Sequence, residues 1–458
     1  MGHVSTATRA QTGGDVADGP RLTADDVRAA AVRVRDVVDR TPLQTSARLS
    51  RATGASVLVK REDLQTVRSY KIRGAYNTMA QLSSEERAAG VVAASAGNHA
   101  QGVAYACQAM GVQGRIYVPT TTPKQKRDRI RWHGGDAVEL IPVGDTYDAA
   151  AAAAQADMLR TGATWIHAFD DVRTAAGQGT IAAEIVEQLG AVPDVVVIPV
   201  GGGGCLAGMA TLLREADPDV VIVGVEPSGA LSLSAALVHG GPVTLGDIDP
   251  FVDGAAVKRV GSVVYDVLAP MAPTVAAHPD LPAAATVEPA GRVLTPGSTH
   301  IVHVDEGALC STMLELYQDD GIIAEPAGAL SVAALDQLSL QPDSTVVCLL
   351  SGGNNDVSRY GEIIERSLVH QGLKHYFLVD FPQEPGALRG FLDEVLGPAD
   401  DVTLFEYVKR NNRETGAALV GIELGSADSL SSLLDRMNAS RLRVEQLHPD
   451  SPAYRYMT

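Results

Sequence analysis

From residue 21 to about residue 367, short β-branched runs alternate with Ala-rich stretches, and this alternation constrains the fold more than any other feature. The runs lie at 57–60, 91–95, 115–119, 137–141, 195–200, 220–225 and 345–350. Each is apolar throughout rather than alternating, as expected of parallel strands buried on both faces. Runs of this kind separated by helical stretches predict a doubly wound α/β architecture. With 458 residues the chain exceeds one ordinary core, so two or three domains are expected. A hydrophobic fraction of 45% with 20% charged residues is globular. Abundant Ala and Gly with few aromatics suit helices packed backbone to backbone.

The last ninety or so residues read differently. Strands are expected at 375–381, 402–409, 417–423 and 443–447, with helices at 385–396 and 427–438 and a turn at Asn411-Asn412-Arg413-Glu414. The order βαββαβ is the ferredoxin-like unit, a separate α+β module. The division predicted is a disordered tail at 1–20, a catalytic unit at 21–370 with a smaller lobe near 70–165 inserted in a larger one, and a module at 371–458.

A net charge of -18 disfavours nucleic acid and anionic membranes as partners. Cys107, Cys205, Cys310 and Cys348 stand far apart without a CxxC pair, which argues against a zinc site or a disulfide framework and for reduced thiols in a cytoplasmic protein. No apolar stretch reaches the roughly 18 residues of a membrane helix. The first twenty residues lack the apolar core of a signal peptide.

Ligands of doubly wound sheets gather beyond the carboxyl ends of the strands, and three runs end in suggestive turns. The first enters Ser95-Ala96-Gly97-Asn98-His99, a turn opening a helix. Unpaired N–H groups at a helix start seat a carboxylate, although such a sequence also makes an ordinary strand-to-helix turn. The second enters Gly201, Gly202, Gly203 and Gly204. A phosphate needs converging N–H groups unobstructed by side chains, whereas a structural turn needs only one or two glycines. The third enters Ser351-Gly352-Gly353-Asn354, where Ser351 is either a helix N-cap or a ligand contact. Upstream, Ser69-Tyr70-Lys71-Ile72-Arg73-Gly74-Ala75 sets a lysine among small and aromatic neighbours rather than on a polar face.

Taken together, these segments resemble the serine/threonine dehydratase branch of the tryptophan-synthase-β-like family, fold type II enzymes dependent on pyridoxal 5'-phosphate (PLP). The motifs occur in family order and span nearly all of 21–367. The lysine of S-[FY]-K-x-R-G-A forms the Schiff base in that family, which implies Lys71. The S-x-G-N-H turn implies Asn98 against the cofactor's 3-oxygen and Ser95, Ala96, Gly97 and His99 around the substrate carboxylate. The four glycines, with the backbone of Cys205 where relatives more often carry leucine, imply the phosphate site. Ser351 corresponds to the alcohol facing the pyridine nitrogen. An alcohol there leaves the nitrogen largely neutral, the electron sink weaker, and loss of a β-leaving group favoured over transamination or racemisation. Ala176-Gly177-Gln178-Gly179-Thr180, following Ile166-His167-Ala168-Phe169-Asp170-Asp171, resembles a further family segment. Glu325, in Ala324-Glu325-Pro326-Ala327-Gly328, resembles an acidic residue near the cofactor ring and reads equally as a first-turn charge.

Two departures bear on the reaction. Racemases of the family carry a second serine where this chain has Ala96. They also bind a divalent metal through a Glu-Pro-Ser segment and an acidic residue six positions after the Glu. Here Glu226-Pro227-Ser228 is followed at that position by Ser232, so racemisation and a metal site are not expected.

The resemblance thus implies dehydration and deamination of L-threonine, with L-serine secondary, to a 2-oxo acid and ammonia, Lys71 acting as general base. The run from Phe381 to Leu388 resembles the ACT-like module of biosynthetic threonine dehydratases, which implies isoleucine as an inhibitory effector. Tyr407 is the candidate effector-site residue, and the expected assembly is a homotetramer. A catabolic dehydratase, a β-replacement synthase and a non-catalytic amino-acid sensor are the alternatives. The regulatory module disfavours the first, a synthase needs a second-substrate pocket, and intact Lys71, Asn98, Gly201 to Gly204 and Ser351 disfavour the sensor.

Overall fold

A computed structural model of the chain describes residues 21–283, 294–407 and 414–448. The expected tail at 1–20, the end of the strand expected at 402–409 and most of the turn at 411–414 lie outside the described residues.

All seven expected runs are strands, and they divide between two sheets. The larger sheet has seven strands in the order Leu43–Thr45, Ser56–Arg61, Thr345–Leu350, Val195–Pro199, Val221–Pro227, Thr299–Val304 and Thr274–Val275. Every neighbouring pair is parallel except the first, where Leu43 faces Lys60 in an antiparallel edge. The smaller sheet is parallel throughout, in the order Val138–Pro142, Gly114–Val118, Val91–Ala94 and Thr164–Trp165. Its core is an Ala- and Val-rich cluster around Val91, Val103, Ile116 and Ile130. The strands at 43–45, 164–165, 274–275 and 299–304 were not among the expected runs.

Helix ends follow local chemistry. Thr23 accepts from the Asp26 N–H while the Asp26 carboxylate accepts from the Thr23 N–H, a reciprocal cap on the helix Ala24–Val34. Asp171 accepts from the N–H groups of Arg173 and Thr174 to start Val172–Leu189. Gly190 closes that helix at φ +72°, a left-handed conformation that costs glycine nothing.

Two helices approach that of Lys71 (Lys71–Ala80) at the backbone. A Cβ on Gly177 would lie 2.6 Å from the Arg73 carbonyl oxygen and the Gly74 Cα; one on Gly102 would lie 3.0 Å from the Lys71 carbonyl oxygen. Gly179 meets Gly208 equally closely, joining Val172–Leu189 to Gly204–Ala216. Side chains longer than hydrogen are excluded at these crossings.

The C-terminal module is a four-stranded antiparallel sheet ordered Asp401–Tyr407, Thr415–Glu423, Lys374–Pro382 and Arg443–Leu447. In module numbering this is 2-3-1-4, the ferredoxin-like arrangement, with helices Ala387–Glu394 and Leu430–Ala439. Phe377, Val379, Phe391, Val420, Ile422 and Leu433 form its own core. The helix Tyr360–His370 leads into it, and the guanidinium groups of Arg359 and Arg366 lie over the Phe251 ring, at 4.6 and 4.2 Å from its centre.

Candidate active site

The three turns singled out in the sequence converge beside Lys71. An isolated bridge pairs Ser69 with Gly352, and the Tyr70 N–H donates to the Ser351 carbonyl at 3.2 Å. The start of the Lys71 helix is thereby tied to the turn after Thr345–Leu350. Lys71 is partly buried, with protein packed around its side chain. Its amine donates to the Ala168 carbonyl at 3.1 Å. Burial lowers its pKa to about 8, against the opposing influence of Cys205 and Glu325. A neutral amine is then accessible near neutral pH, as a nucleophile or base requires.

Asn98 opens the helix Asn98–Met110, whose N-cap, Gly97, offers no side-chain acceptor. The first N–H groups of that helix therefore have no cap, while Ser95 Oγ accepts only from the Gly97 N–H. A Cβ on Gly97 would meet nothing within 4 Å, so the turn borders open space. The Asn98 amide is fixed from both ends. Its Nδ2 donates to Glu325 Oε1 at 2.5 Å, and its Oδ1 accepts from Asn354 Nδ2 at 2.7 Å. Asn354 is anchored in turn on the Val67 carbonyl. Glu325 is the buried N-cap residue of Pro326–Ala333, and its other oxygen accepts from the Asn354 N–H. Burial, and then the Asp253 charge, push its carboxyl up to about 7. Glu325 thus stands both at the start of a helix and against the Asn98 amide.

His99 points away from that turn. Its Nε2 bonds the Ile166 carbonyl at 2.8 Å, and burial, then Lys71, lower its pKa to about 3. Ser351 does not cap a helix. Its hydroxyl donates to the Ala327 carbonyl at 3.2 Å, and the next helix, Tyr360–His370, starts well beyond the turn.

The glycine turn opens Gly204–Ala216, again without a side-chain cap, and Gly203 takes φ +83°. A Cβ on Gly201 would lie 2.8 Å from the Ala255 Cα, and one on Gly204 2.8 Å from the Phe169 carbonyl oxygen. Uncapped N–H groups in a cradle closed to side chains fit a phosphate. With the Lys71 amine they fit a group bearing a phosphate and an aldehyde. Cys205 is buried, its thiol packs on Met209 Sδ at 3.7 Å, and burial pushes it up to about 12, which leaves no thiolate. Tyr407 lies far along the chain on the module sheet, half-exposed, its ring near those of Phe381 and Phe405.

Several residues of the site were not singled out by sequence reasoning. Asn354 belongs to a quoted turn but carried no expected role. Four charges packed together at the Lys71 helix carried no expected role, although Arg73 belongs to the quoted lysine motif. Arg73 is fully buried, bonding both oxygens of Glu62 at 2.8 Å and Glu184 at 2.7 Å. Lys60, also fully buried, bonds Glu184 at 2.7 Å and the Thr41 carbonyl at 2.8 Å. Two cations and two anions cancel there. Glu226 shows a structural use for the Glu-Pro-Ser segment, its carboxylate accepting from the N–H groups of Leu233 and Ser234 at the start of Ser232–His239.

Known proteins match this arrangement. The family model for pyridoxal-phosphate dependent enzymes matches residues 34–352, and that for the C-terminal regulatory domain of threonine dehydratase matches residues 365–457. The biosynthetic L-threonine dehydratase IlvA of Mycobacterium tuberculosis is 62% identical over 436 residues, covering 95% of this chain and 96% of that protein. Its counterpart in Corynebacterium glutamicum is 55% identical and covers 97% of this chain and 98% of its own. Among solved structures, the processed form of threonine deaminase isoform 2 from Solanum lycopersicum superposes with a TM-score of 0.65 at 34% identity, covering 79% of this chain and 94% of that one. The chain belongs to the biosynthetic threonine dehydratase family of pyridoxal-phosphate dependent enzymes.

Proposed function

We propose that the cleft around Lys71 dehydrates and deaminates L-threonine to 2-oxobutanoate and ammonia, the entry step to isoleucine, with L-serine as a secondary substrate. The single observation that carries the reading is the enclosed Lys71 amine, with its lowered pKa, between an uncapped helix start and a glycine cradle. Lys71 is the residue that holds PLP and the base that takes the Cα proton. The backbone of Gly201, Gly202, Gly203, Gly204 and Cys205 receives the phosphate. Asn98, oriented by Glu325 and Asn354, has a second Nδ2 hydrogen to give the 3-oxygen. Ser351 faces the pyridine nitrogen. The turn Ser95, Ala96, Gly97, with the N–H of His99, takes the substrate carboxylate.

When bound, PLP supplies the electron sink that makes the Cα proton removable. Lys71 then moves that proton, and the β-hydroxyl departs as water. The enamine released hydrolyses to the 2-oxo acid and ammonia. Ala96 has no hydroxyl with which to return a proton from the opposite face, which supports elimination over racemisation.

The division into a catalytic unit at 21–370, with a smaller lobe near 70–165, and a regulatory module at 371–458 belongs to the same reading. Isoleucine is the effector proposed for that module, with Tyr407 in its site, in a cytoplasmic homotetramer. The separate core of the module supports a distinct regulatory unit. Among the described residues no helix is long and apolar enough to cross a membrane.

Lys71→Ala tests the assignment. The variant should lose both the yellow absorbance of the reconstituted protein and 2-oxobutanoate release. Persistence of either at the wild-type level overturns the role of Lys71.

A further inference from the structure

The segment Ile166-His167-Ala168-Phe169 touches His99, Lys71 and the glycine turn. Ile166 O is bonded by His99 and Ala168 O by Lys71. The Phe169 ring and carbonyl line the glycine cradle. His167, between them, has no part in the function derived so far.

Its ring is held in one tautomer. Nδ1 accepts from the Asp170 N–H at 2.8 Å and from the Phe169 N–H at 3.3 Å. A nitrogen accepting two N–H groups carries no proton, so the neutral ring carries its hydrogen on Nε2. Burial lowers the His167 pKa; Asp170 and Asp171 oppose that shift, and Lys71 adds to it. The ring is thus neutral at physiological pH. It also stands edge-on to Phe169, with centres 4.8 Å apart at 88°, which fixes its plane. Its own carbonyl accepts from Thr174 Oγ1 at 3.0 Å. Nδ1 and the carbonyl oxygen are therefore engaged, whereas Nε2–H has no acceptor among the described residues and keeps accessible surface.

We propose that His167 is a substrate-facing residue whose Nε2–H donates a hydrogen bond to the β-oxygen of the amino-acid substrate and steadies it as it leaves. The inference rests on the threonine-dehydratase reading above. A neutral imidazole N–H suits an oxygen gaining negative charge without surrendering its own proton. The Cα–H electron pair becomes the Cα=Cβ bond as Lys71 takes the proton. The Cβ–O pair departs with oxygen, and the proton on Lys71 passes to that oxygen, which leaves as water. His167 ends with the proton it began with. The carboxylate is already served by the uncapped helix start at Asn98, which leaves the β-oxygen as the group in need of a donor.

Two substitutions separate this role from a structural one. In His167→Asn, Oδ1 replaces Nδ1 as acceptor for the Phe169 and Asp170 N–H groups, so the turn is kept and the donor lost. In His167→Gln a donor returns near the Nε2 position. The holoenzymes are assayed with L-threonine and with 3-chloro-L-alanine, whose chloride leaves without a proton. For His167→Asn, kcat with threonine should fall about 10²-fold, the scale of losing one donor at a developing oxyanion, with KM little changed. Elimination from chloroalanine should stay near wild type, and His167→Gln should recover part of the threonine rate. Independently, ¹⁵N-histidine spectra of the wild-type protein between pH 6 and 8 should show His167 neutral with its proton on Nε2. Equal losses on both substrates, or a spectrum with the proton on Nδ1, would overturn the proposal. Wild-type protein that releases no 2-oxobutanoate from threonine would sink the underlying reading as well, in a separate arm of the same experiment.

Discussion

Replacing Arg73 by methionine preserves most of the side-chain volume and removes the charge. The structure sets the size of the effect. The fully buried Arg73 guanidinium bonds Glu62 through Nε and Nη2, and through Nη1 it bonds both Glu184 and, at 3.2 Å, Thr180 Oγ1. Its loss leaves two carboxylates facing one remaining cation, Lys60. Removing one partner of a buried pair costs about 3–5 kcal/mol, because the surviving charge has lost both water and its counter-ion. The cost also depends on pH. Burial alone would push Glu62 up, but Arg73, through charge and hydrogen bonds, and then Lys60 and Thr41, hold it below the usual carboxylate range. A carboxyl with a depressed folded-state pKa stabilises the fold above its unfolded value of about 4.3, and that contribution fades as acid protonates it. Without Arg73 the burial effect dominates and the folded-state pKa rises, so the variant is penalised increasingly above that value. The difference from wild type should therefore be largest near pH 8 and shrink toward pH 5. Urea unfolding followed by circular dichroism, using the transition of the catalytic unit, measures it at both pH values. A difference below about 1 kcal/mol, equal at both, would refute the account of these four charges as a mutually neutralised buried set.

Gly201→Ala should weaken PLP binding measured by equilibrium dialysis. Its Cβ would lie 2.8 Å from the Ala255 Cα, a backbone atom that no rotamer change can move, and overpacking of this kind costs about 1–3 kcal/mol; unchanged affinity would argue against the cradle. Deletion of residues 371–458 should leave 2-oxobutanoate release intact and abolish inhibition by isoleucine. Inhibition surviving in the truncated protein would place the effector elsewhere.

Strands with a strong periodic signal were legible in the sequence, and those whose character depends on distant partners were not. The expected strand at 443–447 coincides with Arg443–Leu447, and the ferredoxin-like order followed from six local patterns. Thr299–Val304 is buried throughout but contains His300 and His303, whose polarity breaks the apolar run. They are accommodated by Ser298 and Ser234, the latter 69 residues away. Two-residue strands such as Thr164–Trp165 have no period to detect. In the site, Lys71, Asn98 and the four glycines carry their chemistry in adjacent sequence. The buried pairing of Arg73 with Glu184 spans 111 residues, and that of Asn98 with Glu325 spans 227, so no local window contains either. Ser351 has the composition of a helix cap, and only tertiary structure shows its hydroxyl on the Ala327 carbonyl.

The main chain at Lys71 is gripped by neighbours that possess no side chains at the point of contact, Gly102 on one flank and Gly177 against residues 73 and 74 on the other. A seat made of peptide planes has no torsions to hop between, so the amine's root cannot drift as a side-chain-lined socket lets its occupant drift. Precision in the reacting group is inherited from how near two helices can come, a distance set by hydrogen and carbon radii. Substitutions in the surrounding core can loosen the protein as a whole while leaving these backbone contacts unchanged.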